Sequence, residues 1–199
     1  MISFPDTEKK LKNRISNYKS ALNKEKKEYD SINDRAGKRY SLFALYFVLN
    51  DLKKSEKYFE WYKEEFYGDV GEPIQKLCWA LSLYRMDKID DARYVLADLM
   101  LLNLYVIPRL LGQDIKEYDI WHSSSAAYYD YFYYIWDEVL EAISKDDRNW
   151  IKEQYDSFVF RRIRQRHIEI YGQLQNVEDL SSRKKLLEEA GSFLDVLKP

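Results

Sequence analysis

The chain writes one helical hairpin twice. Tyr40–Tyr67 and Pro73–Tyr105 each read as two amphipathic helices around a short polar turn, and superposing Ser55 on Ala92 offsets the copies by about 37 residues. In that register Tyr46 falls on Leu83, Leu52 on Ile89, Phe59 on Leu96 and Tyr62 on Leu99. Two closely crossing helices require a small residue at the crossing, and large apolar residues four and seven positions later fill the groove toward the next hairpin. One hairpin cannot bury its apolar face alone. The duplication therefore predicts stacked helices, and stacked hairpins present surfaces for binding.

Both flanks also read as helix, because long proline-poor tracts rich in Leu, Glu, Lys, Arg and Ala favour it. Residues 1–33 form a charged N-terminal helix or arm with Asp6 as its cap. Its stripe of Leu11, Ile15, Tyr18, Leu22, Tyr29 and Ile32, interrupted by Glu25, is narrow enough to lie along the body or to pair with a second copy as a homodimer. Residues 34–112 hold the hairpins, with Asp34 capping a helix to Leu49, a turn at Asn50-Asp51, Pro73 opening the next helix, and a fifth from about Asp90 to Ile107 closed by Pro108 and Gly112.

Residues 113–199 depart from the repeat. They predict a short segment at Asp114–Trp121, a long aromatic helix over Ser123–Ser144, and a helix of roughly 25 residues capped by Asp146 or Asp147 and ending near Gly172. A last helix, Leu180–Leu197, turns Leu186, Leu187, Ala190, Phe193, Leu194 and Leu197 to the core. No segment alternates with period two between turn signals. The expectation is one all-α domain over 1–199, built of stacked antiparallel hairpins with long flanking and capping helices.

The hairpin pattern resembles the tetratricopeptide repeat family over roughly residues 39–112. Ala80 and Ala92 stand where that family wants small residues in its two helices. Phe43 departs from the pattern at the small position of the first copy, Arg39 and Lys76 replace the family's early aromatic, and Gly68-Asp69-Val70 lengthens the usual period of about 34 residues. The resemblance implies a superhelical stack with a concave peptide-binding face. Two hairpins are fewer than the roughly three repeats needed for stability, so the flanking helices must cap both ends.

Composition narrows the function classes. A formal net charge of −2 provides no long-range field toward nucleic acid or membrane, so neither partner is expected. The single Cys78, between Leu77 and Trp79, allows no internal disulfide and suits a buried thiol in a reducing compartment. The N-terminus lacks the apolar stretch of a signal peptide and no run is long enough to span a bilayer, so a cytoplasmic protein is expected. With two histidines and one cysteine, the usual zinc sites cannot be assembled. Asp119 and His122 read as a cap and a surface imidazole. No phosphate loop or nucleophile elbow occurs, and no cofactor is expected.

Two constellations stand out. In Tyr128–Trp136 nine consecutive residues include eight apolar or aromatic ones, more than one helix face can bury, which nominates Tyr128, Tyr131, Tyr133 and Tyr134 for protein binding. Arg161, Arg162, Arg164 and Arg166 form a basic run beside His167, suited to carboxylates or phosphates. Tyr40, Tyr46, Trp79 and Tyr84 add anchors on the inner hairpin faces. The arginine run also resembles the Arg-to-His motif of the HEPN ribonucleases, with Arg161 or Arg162 and His167. Ile163 departs from that family's polar residue, and five residues on a continuous helix place the pair about 140° apart. The expected function is non-enzymatic protein binding, as a scaffold or as an immunity protein or antitoxin that blocks a toxin; the alternative is RNA binding or cleavage through Arg161–His167.

Overall fold

A computed structural model describes residues 3–198. Among them ten α-helices and three short 3-10 turns account for the regular structure, and no strand is present. The first helix, α1 (Glu8–Tyr29), is capped by Thr7, whose hydroxyl accepts from the Lys10 amide, rather than by Asp6. Its Leu11, Ile15 and Leu22 are buried against α2 (Lys38–Leu49), so the seam that would suit a second copy is already occupied within the chain. Glu25, which interrupts that seam, accepts from the Asn33 and Asp34 amides and shapes the turn that follows.

Helix α2 begins three residues later than expected. Asp34 still supplies the cap, but from outside the helix: its buried carboxylate accepts from the Lys38 and Arg39 amides at 2.9 and 2.8 Å, while Gly37 turns the chain at φ 63°. Six successive residues, Leu42–Phe47, are buried. Such a run covers every direction around a helix and needs neighbours on all sides. The neighbours are α1, α3 (Leu52–Glu65), α4 (Pro73–Arg85) and α7 (Asp137–Ala142).

Two helical hairpins form, α2 with α3 and α4 with α5 (Ile89–Leu102), and α2 lies against α4. Asn50 takes a left-handed conformation and Asp51 caps α3 through the Lys54 amide. Pro73 opens α4, and Gln75 accepts from the Glu72 amide. Ser55, Ala80 and Ala92 are fully buried at the crossings. Phe43, oversized for its place in the first copy, becomes the hub of a ring cluster: it stacks on Phe59 at 5.0 Å and meets Tyr58, Tyr62 and Trp79 within 5.3 Å. Arg85 ties the hairpins to the second half, donating to Asp147 (2.6 Å), the Ala142 carbonyl (2.8 Å) and Asn50 (3.1 Å).

The second half differs from expectation. Pro108 sits inside a short helix, α6 (Val106–Leu110), instead of closing α5. Residues 114–121 form no helix, and the long aromatic helix over Ser123–Ser144 is not formed. In its place are 3-10 turns at Ser125–Ala127 and Tyr129–Tyr134, then α7. The single long basic helix is divided at Asp156-Ser157 into α8 (Lys145–Tyr155) and α9 (Phe158–Leu174), capped by Ser144 and Ser157. The last helix, α10 (Leu180–Gly191), stops before a 3-10 turn at Phe193–Leu197, and none of its residues is fully buried. Leu187 is exposed, while Phe193, Leu194 and Leu197 pack at the core's edge. No described helix is long and apolar enough to cross a membrane.

Candidate protein-binding surface

The aromatic segment is held from below by two residues that sequence reasoning did not single out. Asn103, buried at the end of α5, accepts from the Tyr105 and Val106 amides and donates to the carbonyls of Ala126 (2.7 Å) and Tyr128 (3.1 Å). Arg109 lies between two rings of the segment, 4.0 Å from the Tyr129 centroid and 4.8 Å from Tyr133, and donates to the Tyr133 hydroxyl. The Tyr128 carbonyl accepts from the Tyr131 amide in a 3-10 bond as well as from Asn103, and aromatic residues supply little α-helical propensity to oppose that path. In a 3-10 turn positions three apart share a face. Phe132 and Ile135 accordingly turn inward while Asp130 and Tyr133 turn out.

The nominated tyrosines therefore divide. Tyr128, Tyr133 and Tyr134 are 54%, 66% and 62% exposed. Tyr131 is packed against the core and donates to Glu72 at 3.0 Å; burial and the Glu72 charge hold its phenol far above its ordinary pKa. The same stretch of chain carries Asp130, Asp137, Glu138 and Glu141, none in an ion pair among the described residues. Residues 113–144 carry seven carboxylates against one lysine. That imbalance was readable from the sequence but is masked by the near-neutral total. Among the cations that reach the segment are Arg109, between its rings, Arg148, which donates to the Leu110 and Leu140 carbonyls, and Arg85, which donates to the Ala142 carbonyl.

The hairpin anchors are mostly internal. Tyr46 is 2% exposed in the core, its phenol pushed up to about 12 by burial, and it offers a partner nothing. Tyr84 is covered by Trp150, stacked at 4.5 Å. Tyr40 donates to Asp69 at 2.8 Å beside Arg39, whose Nε donates to the same carboxylate; although burial would raise the Asp69 pKa, these bonds hold it below its usual value. Trp79 is half-buried in a cleft between the hairpins, with Lys63 over its ring at 5.6 Å.

The basic run is likewise divided. Arg164 lies 3.8 Å over the Tyr155 ring and donates to the Tyr155 carbonyl, while Arg166 grips Glu189 of α10 through two nitrogens and also reaches Glu169. Arg161 and Arg162 are exposed and make no ion pair among the described residues. His167 faces inward with Ile163 and Ile170, 5% exposed and stacked on Tyr171 at 4.0 Å. Burial lowers its pKa to about 4, so it is neutral near pH 7. The geometry does not bring Arg161 or Arg162 together with His167, as the helical spacing already implied. Among the described residues no group of three or more His, Cys, Asp or Glu could hold a metal.

No protein-family model, curated protein or solved structure matches this chain.

Proposed function

We propose that this chain is a non-enzymatic protein-binding module. Its two hairpins, which resemble tetratricopeptide repeats, serve as scaffold, and its partner docks a basic face on Tyr128–Glu141. One observation carries this reading: three exposed tyrosines and four unpaired carboxylates share a segment that Asn103 and Arg109 pin in place. Tyrosine buries large area at low entropic cost, and a pinned segment loses little freedom on binding. Rings beside carboxylates suit arginine and lysine, which meet the one by cation–π contact and the other by ion pairing. The immunity or antitoxin role would use the same surface against a cationic toxin.

The test is affinity capture of a stoichiometric partner with the wild type and with Tyr128→Ser/Tyr134→Ser, two exposed side chains that Arg109 does not hold, with circular dichroism checking the fold. Capture is expected to weaken by about tenfold or more in the variant, as for loss of central aromatic anchors. Raising salt should slow association of the wild type. Undiminished capture by the double variant would place the interface elsewhere.

A further inference from the structure

Helices α9 and α10 and the 3-10 turn at Phe193–Leu197 leave an open groove of about 680 Å³ between them. Val159, Ile163 and Phe193 line it, together with Phe158 and Val196, which are 70% and 72% exposed. Single exposed apolar side chains are ordinary on a surface. Two in one groove, over an apolar lining, form a patch of the kind that partners cover. We infer that a second copy of this chain seats its Tyr128–Glu141 segment in this groove, a step that rests on that segment being the docking surface and supplies its partner.

Charge selects the occupant. Arg166 holds both Glu169 and Glu189, and Asp195 pairs with Lys198, so the acidic groups of the groove and its turn are engaged. Arg162 in the lining and its neighbour Arg161 are exposed and make no ion pair among the described residues. The groove therefore offers apolar contact and two free guanidinium groups. Tyr128–Glu141 offers the complement, with three exposed tyrosines and the unpaired Asp130, Asp137, Glu138 and Glu141 on one stretch of chain. Arginine meets a tyrosine through its planar face and a carboxylate through its N–H fork.

Like surfaces do not serve each other. Two grooves face to face would oppose arginine to arginine, and two Tyr128–Glu141 segments would oppose carboxylate to carboxylate, which costs affinity. Among the described residues no hydrogen bond or ion pair joins groove to segment within one chain, so both stay available to another copy. The space is adequate, since about 150 Å³ takes one benzene ring and the groove has several times that. Little freedom is lost in the segment, because Asn103 and Arg109 already hold it. A contact between two different surfaces leaves one groove and one segment free at the ends of every assembly, so association either continues or closes as a ring.

Sedimentation of the full chain is the test. The weight-average mass of the wild type should rise with concentration above that of one chain, and raising salt from about 50 mM to about 500 mM should lower it. Arg161→Glu/Arg162→Glu, at two exposed positions, should weaken association by about tenfold or more, as should Tyr128→Ser/Tyr134→Ser, with circular dichroism checking each fold. Phe158→Ser is a second groove variant and stands in if charge reversal disturbs α9. The deciding sample is a mixture. A groove variant and a segment variant together hold one intact groove and one intact segment, so equal amounts should form pairs and stop there. A wild type that stays one chain at about 1 mM overturns the inference. So does association that both groove variants leave unchanged, or a mixture that does not pair. With a wild type that stays one chain, loss of a different captured protein on Tyr128→Ser/Tyr134→Ser would still keep the segment as a docking surface. With unchanged groove variants, association lost only in the segment variant would move its contact to another face of the second copy.

Discussion

Asn103 shows how much one buried amide can organise. Its side chain closes four hydrogen bonds, two to amides opening α6 and two to carbonyls of the aromatic segment. Asn103→Leu orphans all four partners at once and should cost about 2–3 kcal/mol in urea unfolding. Asn103→Asp keeps the acceptor and loses the donor, so its damage should fall on the 126–128 strap, read as faster proteolysis there. His167 makes a second prediction at this scale. Its folded pKa, near 4, lies below the ordinary 6.5, so the unfolded chain binds more protons between those values. Stability is therefore complete above about pH 6.5 and falls as pH drops toward 4, by about 2 kcal/mol between pH 7 and 5. Its contribution is isolated by comparison with His167→Gln, whose stability should be flatter over that window. Asp69, held below its usual value, adds a loss at still lower pH and does not confuse the test.

At the scale of elements, the predicted helices that formed best are those whose ends carry their own signals. Asn50-Asp51, Pro73 and Asp87 punctuate the hairpins, and each turn lies where its residues place it. Ser157 was a comparable signal that the continuous apolar period of the basic stretch concealed. Its hydroxyl accepts from the Phe160 amide, and Ser157→Ala should cost about 1 kcal/mol by thermal denaturation. The aromatic stretch was misread for another reason. Nine residues with no helix-breaking type look helical locally, and partners elsewhere in the chain, among them Asn103, Arg109 and Glu72, hold the 3-10 path. The same distance explains the mixed fate of the binding residues. Exposure of Tyr133 and burial of Tyr131 depend on which face of that path meets α4, and Tyr46 on how closely α2 is enclosed. Helix α10 is held chiefly by Arg166–Glu189 and by Arg183 donating to the Leu174 carbonyl. Arg166→Ala should speed amide exchange in residues 180–191 while leaving α2 and α4 protected.

For the whole molecule, a core running from Phe4 through the hairpins to Ile163 joins both halves. Because the main core spans both halves, with a smaller cluster around Leu104, Tyr105 and Ile120 beside it, one cooperative transition is expected, so unfolding followed by far-ultraviolet circular dichroism and by tryptophan fluorescence should coincide. Two separate midpoints would mean that the hairpins fold apart from the rest. The helical hairpins, the all-α class and the turns between α2 and α5 follow from the sequence itself, because they depend on apolar period, small residues at crossings and caps within a few positions. Which tyrosines reach solvent, which arginines are engaged, and the groove that α9 forms with α10 and the last turn follow only from the tertiary structure. Those outcomes rest on contacts between residues far apart in the chain, and local propensity carries no information about them.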